Sequence, residues 1–123
     1  MSPQELFDTV VGHLHRQGMP AIDETGQCSY RGYNGTKCAA GVLIPNEYYD
    51  PEMDERNLNI NIVIETFKVP NYIKDNHELV AALQEFHDYT MVKGFDIRSR
   101  DQLEELKFIA KKFNLNFNTD NYL

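Results

Sequence analysis

The chain has no tryptophan, only two cysteines, and a shortage of basic residues, with 12 Lys and Arg against 19 Asp and Glu. Each shortage removes a class of protein. A net charge of −7 excludes a general binder of phosphate backbones, which needs a basic surface to displace counterions, so direct nucleic-acid binding is not expected. No apolar run approaches the roughly 18 residues needed to cross a bilayer, so no membrane partner is expected either. Two cysteines cannot build a disulfide scaffold, and neither C-x₂₋₄-C nor H-x₃₋₅-H spacing occurs, so no compact zinc knuckle is present. G-x-G-x-x-G, the P-loop and the G-x-S-x-G elbow are all missing. No motif requires a cofactor or a resident metal. The start, Met1-Ser-Pro-Gln-Glu5, lacks the basic and apolar regions of a secretory signal. The expected location is therefore the cytoplasm.

What is present suits a folded domain. Of 123 residues, 41% are hydrophobic and 25% charged, and Phe and Tyr occur seven times each. A chain of this length can bury roughly 65% of its unfolded surface without staples. One domain over residues 1–123 is expected.

The pattern along the chain is mainly helical. Ser2-Pro3-Gln4-Glu5 reads as a capping box with proline in the first turn. Leu6, Phe7, Val10, Val11 and Leu14 follow at helical spacing to a stop at Gly18, predicting a helix over Pro3–Gln17. Asn34-Gly35 favours a type I′ turn, because both residues tolerate positive φ. It predicts a hairpin of strands near Gln27–Arg31 and Thr36–Cys38. Ala39–Ile44 reads as a short helix ended by Pro45. Pro45–Arg56 reads as an acidic loop or helical turn. Leu58–Phe67 fits both periods; helix is preferred, because Val63 would be wasted on a polar strand face. Asp75-Asn-His-Glu78 opens a helix whose stripe is Leu79, Val80, Leu83, Phe86 and His87, with Gly94 as its end. A last helix begins at Ser99 or Arg100 and buries Leu103, Leu106, Ile109, Ala110 and Phe113. In the Asn-rich tail, Leu115, Phe117, Tyr122 and Leu123 are available to dock. The fold class expected is α+β: about four helices carrying one small β-hairpin.

Candidate chemistry gathers around residues 28–38. With a two-residue loop at Asn34-Gly35, Cys38 faces Arg31. Cys28 then lies about 10 Å further along its strand, beyond the roughly 7 Å that a disulfide tolerates between Cα atoms. Cys38 at a helix start beside Lys37 is the candidate nucleophile of a cysteine-dependent hydrolase or transferase, since a helix dipole lowers a thiol pKa. Such a thiol needs a histidine in reach. His87 falls on an apolar stripe, where a hydrogen-bonded core imidazole is the commoner outcome than a general base. Asp50-Pro-Glu52-Met-Asp54 starts like a calcium loop but lacks its sixth-position glycine and twelfth-position glutamate. Arg31, Tyr33 and Lys37 around the hairpin tip could contact a small ligand, with Tyr30 and Tyr33 as exposed rings. The acidic side chains of Glu52, Asp54 and Glu55 could meet a basic partner.

The run Tyr30-Arg-Gly-Tyr-Asn-Gly-Thr-Lys-Cys-Ala-Ala-Gly-Val-Leu-Ile-Pro-Asn-Glu-Tyr-Tyr49, with Leu83-Gln-Glu-Phe-His-Asp88, resembles a group of small phage and bacterial proteins. They share a hairpin followed by Lys-Cys-Ala-x-Gly-x-Leu-Ile-Pro-x-Glu and have no settled activity. The likeness fades over Asn57–Lys74 and in the tail. It implies a phage or mobile-element origin, and for such proteins a host protein, of defence or of takeover, is the usual partner. The first functional expectation is therefore a non-enzymatic accessory protein that binds a host factor. A Cys38-dependent enzyme and sequestration of a nucleotide-like ligand are the alternatives. Self-association is left open. Small residues Ala39, Ala40 and Gly41 are expected to allow a close backbone approach.

Overall fold

The computed structural model describes residues 1–91, 97 and 99–122. Helix α1 spans Pro3–Gln17. The Ser2 hydroxyl accepts from the Glu5 N–H, the Glu5 carboxylate accepts from the Ser2 N–H, and Gly18 closes the helix in the left-handed region at φ 71°. Its apolar stripe, Leu6, Phe7, Val10, Val11 and Leu14, is fully buried. All of this follows the local pattern.

Six further α-helices are present among the described residues. Helix α2 (Ala39–Leu43) starts at Cys38, whose Sγ accepts from the Gly41 N–H at 3.2 Å. Helix α3 (Glu52–Glu55) is a single turn. Helix α4 (Ile60–Thr66) is capped by the Asn59 side chain, which accepts from the Ile62 N–H at 3.0 Å. The ambiguous segment is thus helical, with Ile60 and Val63 inward. Helix α5 (Asn71–Asp75) follows Pro70 and was not foreseen. Helix α6 (His77–Glu85) runs directly into a π-helical turn over Phe86–Met91. Helix α7 (Arg100–Lys112) is capped by Ser99. The boundary expected at Gly94 and the docking role expected of Leu123 lie outside the described residues.

Helix α2 lies against both α1 and α6, and α6 also meets α4 and α5. Leu43, Met53, Val63, Ile73, Leu83 and Phe86 close the core over the α1 stripe, and Leu106, Ile109 and Ala110 bring in α7. The tail docks through Phe117, edge-on to Phe7 at 5.6 Å and stacked on Tyr122 at 5.3 Å. No helix among the described residues is long and apolar enough to cross a membrane.

The expected α+β class is wrong. Among the described residues there is no strand and no hairpin, only isolated antiparallel bridges between Ile22 and Cys28 and between Arg31 and Lys37. Asn34 and Gly35 do take positive φ, 58° and 74°. The loop is a 3₁₀ turn over Tyr33–Gly35, one residue wider than expected. Arg31 therefore pairs with Lys37 rather than with Cys38. A ladder does not grow from this bridge because the next pair, Tyr30 with Cys38, is already spent: the Tyr30 N–H is held by Asp54, and the Cys38 carbonyl accepts the Val42 N–H of α2. The N–H groups of Tyr30 and Arg31 donate to the Asp54 carboxylate at 2.7 and 3.1 Å. The Lys37 N–H donates to Gln17 Oε1 at 2.9 Å. The close approach foreseen at the small residues is made by Gly41: a Cβ there would stand 2.2 Å from the Tyr30 carbonyl oxygen.

Candidate binding cleft

One cleft of about 370 Å³ brings together three pieces of chain remote in sequence. They are Cys28–Tyr30, the stretch Asn57–Asn61, and the end of α6 with the π-helical turn, and Cys38 adds a single residue to the lining. The Asn57–Asn61 wall is set by Asn57 in the left-handed region at φ 48°, by the Leu58 N–H bonding the Met53 carbonyl, and by Asn59 capping α4. The Tyr30 hydroxyl donates to the Leu58 carbonyl at 2.7 Å. Tyr30, expected as an exposed ring, is therefore a buried brace between two walls. The π turn carries His87, Asp88 and Tyr89. Such turns are rare and recur at functional sites.

Cys28, His87 and Asp88 place a sulfur, a ring nitrogen and a carboxylate oxygen within 4.8 Å of one another. In composition this resembles a nucleophile–base–acid set, but the hydrogen bonds are wrong for one. His87 is fully buried. Its Nε2 accepts from the Ala21 N–H at 2.8 Å. A backbone N–H can only donate, so a neutral ring carries its proton on Nδ1, which faces Asp88 Oδ1 at 2.9 Å. No ring lone pair is left to take a proton from Cys28. The same tautomer obstructs a metal ion, which would have to displace the Nδ1 proton while Nε2 stays occupied. His87 is thus the hydrogen-bonded core imidazole that its stripe position suggested.

Both thiols are held in the protonated form. Burial, then the neighbouring Asp88 charge and a hydrogen bond to that carboxylate, push Cys28 up to about 11. Burial pushes Cys38 up to about 12, against the smaller lowering by the Gly41 N–H. Cys38 does sit at a helix start, as expected, but α2 has five residues, and desolvation outweighs the dipole of so short a helix. Neither cysteine is in a disulfide.

The remaining expected site residues divide. Arg31 turns inward: its guanidinium donates to the carbonyls of Gly41 at 2.5 Å and Ile44 at 2.7 Å and lies 4.7 Å from the Tyr49 ring centre. It ties α2 down rather than waiting for a ligand. Asp54 also turns inward, onto Tyr30, Arg31 and the Tyr49 hydroxyl. Glu52 and Glu55 stay exposed, Glu52 at 3.9 Å from Arg56. Tyr33 is exposed at the loop tip. The Lys37 carbonyl accepts from Gln17 and bonds His13 Nε2. These residues do not form one site.

Residues not singled out from the sequence line the cleft instead: Gln84, Glu85, Tyr89 and the alternating amides Asn57, Asn59 and Asn61. The repeat Asn57-Leu-Asn-Ile-Asn61 was a usable signal. Three amides at every second position, next to a helix stop, mark exposed acceptors and donors rather than a core strand. The lining holds two carboxylates, Glu85 and Asp88, and no Lys, Arg or His. It suits a polar guest of positive charge.

Compared with family models, with curated proteins and with solved structures, the chain matches none.

Proposed function

We propose that the protein is a small non-enzymatic accessory protein that acts by holding a partner protein in the cleft between Cys28–Tyr30, Asn57–Asn61 and the end of α6. One observation carries this reading: the cleft presents carboxylates and amides without a cationic side chain, while the two thiols that line it are kept protonated. It offers recognition groups and no activated nucleophile. The partner is a host factor met in the host cytoplasm, in keeping with the likeness to small phage proteins. The acidic loop is a poorer surface than the sequence suggested, because Asp54 is spent on backbone N–H groups. Sequestration of a nucleotide gains no support from a cleft without a cation to meet phosphate.

A photo-crosslinking amino acid at Tyr89 should trap one partner in host cells, and the same group at Glu52 should not. Trapping from Glu52 alone would return the binding surface to the acidic loop.

A cysteine enzyme has one observation in its favour, that Cys28 opens onto the cleft beside His87 and Asp88. Iodoacetamide separates the two readings. Both thiols should alkylate more slowly than free cysteine at pH 8, Cys28 ahead of the buried Cys38. Fast labelling of Cys28 at pH 6 would mark an activated thiolate and reject the non-enzymatic reading.

A further inference from the structure

We infer that the group this cleft accepts is a guanidinium, supplied by an arginine side chain of the partner; the inference rests on the binding reading above and names its ligand chemistry. A guanidinium is planar, carries its charge at every working pH and presents five N–H donors in a fixed fork. The cleft offers the complement. Asp88 Oδ1 accepts from both His87 Nδ1 and Gln84 Nε2, the latter at 2.7 Å; the Cys28 thiol also bonds this carboxylate, and a guanidinium, with its several N–H donors, would share it with that weak donor. Gln84 Oε1 is engaged by the Ala40 N–H at 2.8 Å. That carboxylate is therefore held in place from behind while its side chain stays about one-third exposed, at 31%. Glu85 is exposed at the rim, and Asn57 and Asn61 line the opposite wall, while Asn59 between them spends its side-chain oxygen on the Ile62 N–H. The Tyr89 ring, 66% exposed, supplies a face on which a guanidinium can stack.

Lysine fits these groups less well, because its ammonium is a strongly hydrated point charge that cannot bridge two walls through a planar fork. A metal ion fits less well for the reason already given at His87: Nδ1 carries the ring proton and is bonded to Asp88, and Nε2 is occupied by the Ala21 N–H. An anionic guest would meet two carboxylates and no cation.

The test is a titration of ¹⁵N-labelled protein followed through its amide resonances. The probes are the capped peptide acetyl-Gly-Arg-Gly-amide, the same peptide with neutral citrulline, agmatine, and zinc chloride. The arginine peptide should shift the amides of Ser29, Asn59, Asn61 and Glu85 saturably, and the citrulline peptide should not. Glu85→Gln should weaken the arginine peptide about tenfold by removing one charge-assisted contact. Asp88→Asn should weaken it at least as much; Glu85→Gln keeps the test intact should Asp88→Asn disturb the fold, because Glu85 is at the rim. Agmatine binding equal to the peptide would support recognition of the free side-chain group, and weaker binding would support arginine within a polypeptide. Citrulline binding within twofold of arginine would overturn the guanidinium assignment and leave the binding reading standing. No cleft shifts with any organic probe would overturn both. Zinc shifting the same amides at lower concentration, with a thiolate charge-transfer band, would overturn the assignment in favour of a metal centre at Cys28.

Discussion

Helices α1 and α6 and the long connection from Gly18 to Leu58 are held by different forces. In α1 and α6, apolar side chains at helical spacing are removed from water, and the backbone satisfies itself. The connection has little regular structure. Its backbone groups are held by side chains remote in sequence: His13 and Gln17 of α1 on Lys37, Gln84 and His87 at the end of α6 on Ala40 and Ala21, and, from within the connection, Asp54 of α3 on Tyr30 and Arg31. The helices would hold their pattern with many apolar substitutions of similar volume. The connection tolerates few changes at its polar anchors, because an unmade bond to a buried backbone group costs its full desolvation. The candidate cleft lies on the seam between these regions, walled by the connection on one side and by α6 on the other.

The contrast can be broken most strongly at Gly41, where two parts of the connection, α2 and the stretch at Tyr30, touch backbone to backbone. Gly41→Ala puts a methyl group 2.2 Å from the Tyr30 carbonyl oxygen, and backbone rather than a flexible side chain must yield. A loss of about 3 kcal/mol or more is expected by urea unfolding, as for a severe overpacking change. A loss below about 0.5 kcal/mol would mean that the two segments are not locked together.

Asp54→Ala comes next. It strips two backbone N–H groups and the Tyr49 hydroxyl of their acceptor, and a loss of about 2 kcal/mol is expected. Glu52→Gln, two residues away and exposed, should change stability by less than about 0.5 kcal/mol. Equal effects at the two positions would refute the division of the acidic loop into one structural anchor and a solvated face.

The smallest effect concerns pH and His13. Burial holds its imidazole below the ordinary 6.5, against the raising contribution of its bond to the Lys37 carbonyl, and the charges of Arg16 and Lys37 add to the lowering. The unfolded chain therefore binds a proton in a range where the folded chain does not. The contribution of His13 is fully present above pH 6.5 and is lost as pH falls from there toward the lowered folded value. Thermal unfolding between pH 7.5 and 5.5 should show this slope, and His13→Gln should flatten it. An unchanged slope in the variant would assign it to other groups.

How much of this was legible in the sequence follows the same division. The α1 boundaries, its capping box and its buried stripe could be read from Ser2 to Gly18, because every determinant lies within one turn of the residue it affects. Asn59 and Ser99 as caps belong to the same kind of information. The hairpin failed for the opposite reason. Asn34-Gly35 correctly demanded positive φ, but whether strands grow from a turn depends on where the flanking N–H groups find acceptors. For the Tyr30 N–H that acceptor is Asp54, 24 residues further on, and the Cys38 carbonyl opposite is taken by the first turn of α2. Arg31 and Asp54 looked like surface charges for the same reason: nothing adjacent in sequence shows that an arginine will bond the carbonyls ending α2. Cys28 could not be placed beside Asp88 from a linear pattern, since 60 residues separate them.

By itself, then, the amino-acid order determined which stretches coil into helices, which faces of them turn from water, and that the molecule as a whole is acidic. These are properties of neighbours three or four residues apart and of summed charge. Only the tertiary structure decided that the glycine-punctuated segment forms no sheet, that both sulfurs stay protonated, and that carboxylates and amides from three distant stretches share one cleft. Each of these depends on desolvation and on hydrogen-bond partners, and both are fixed by what the folded chain brings close in space.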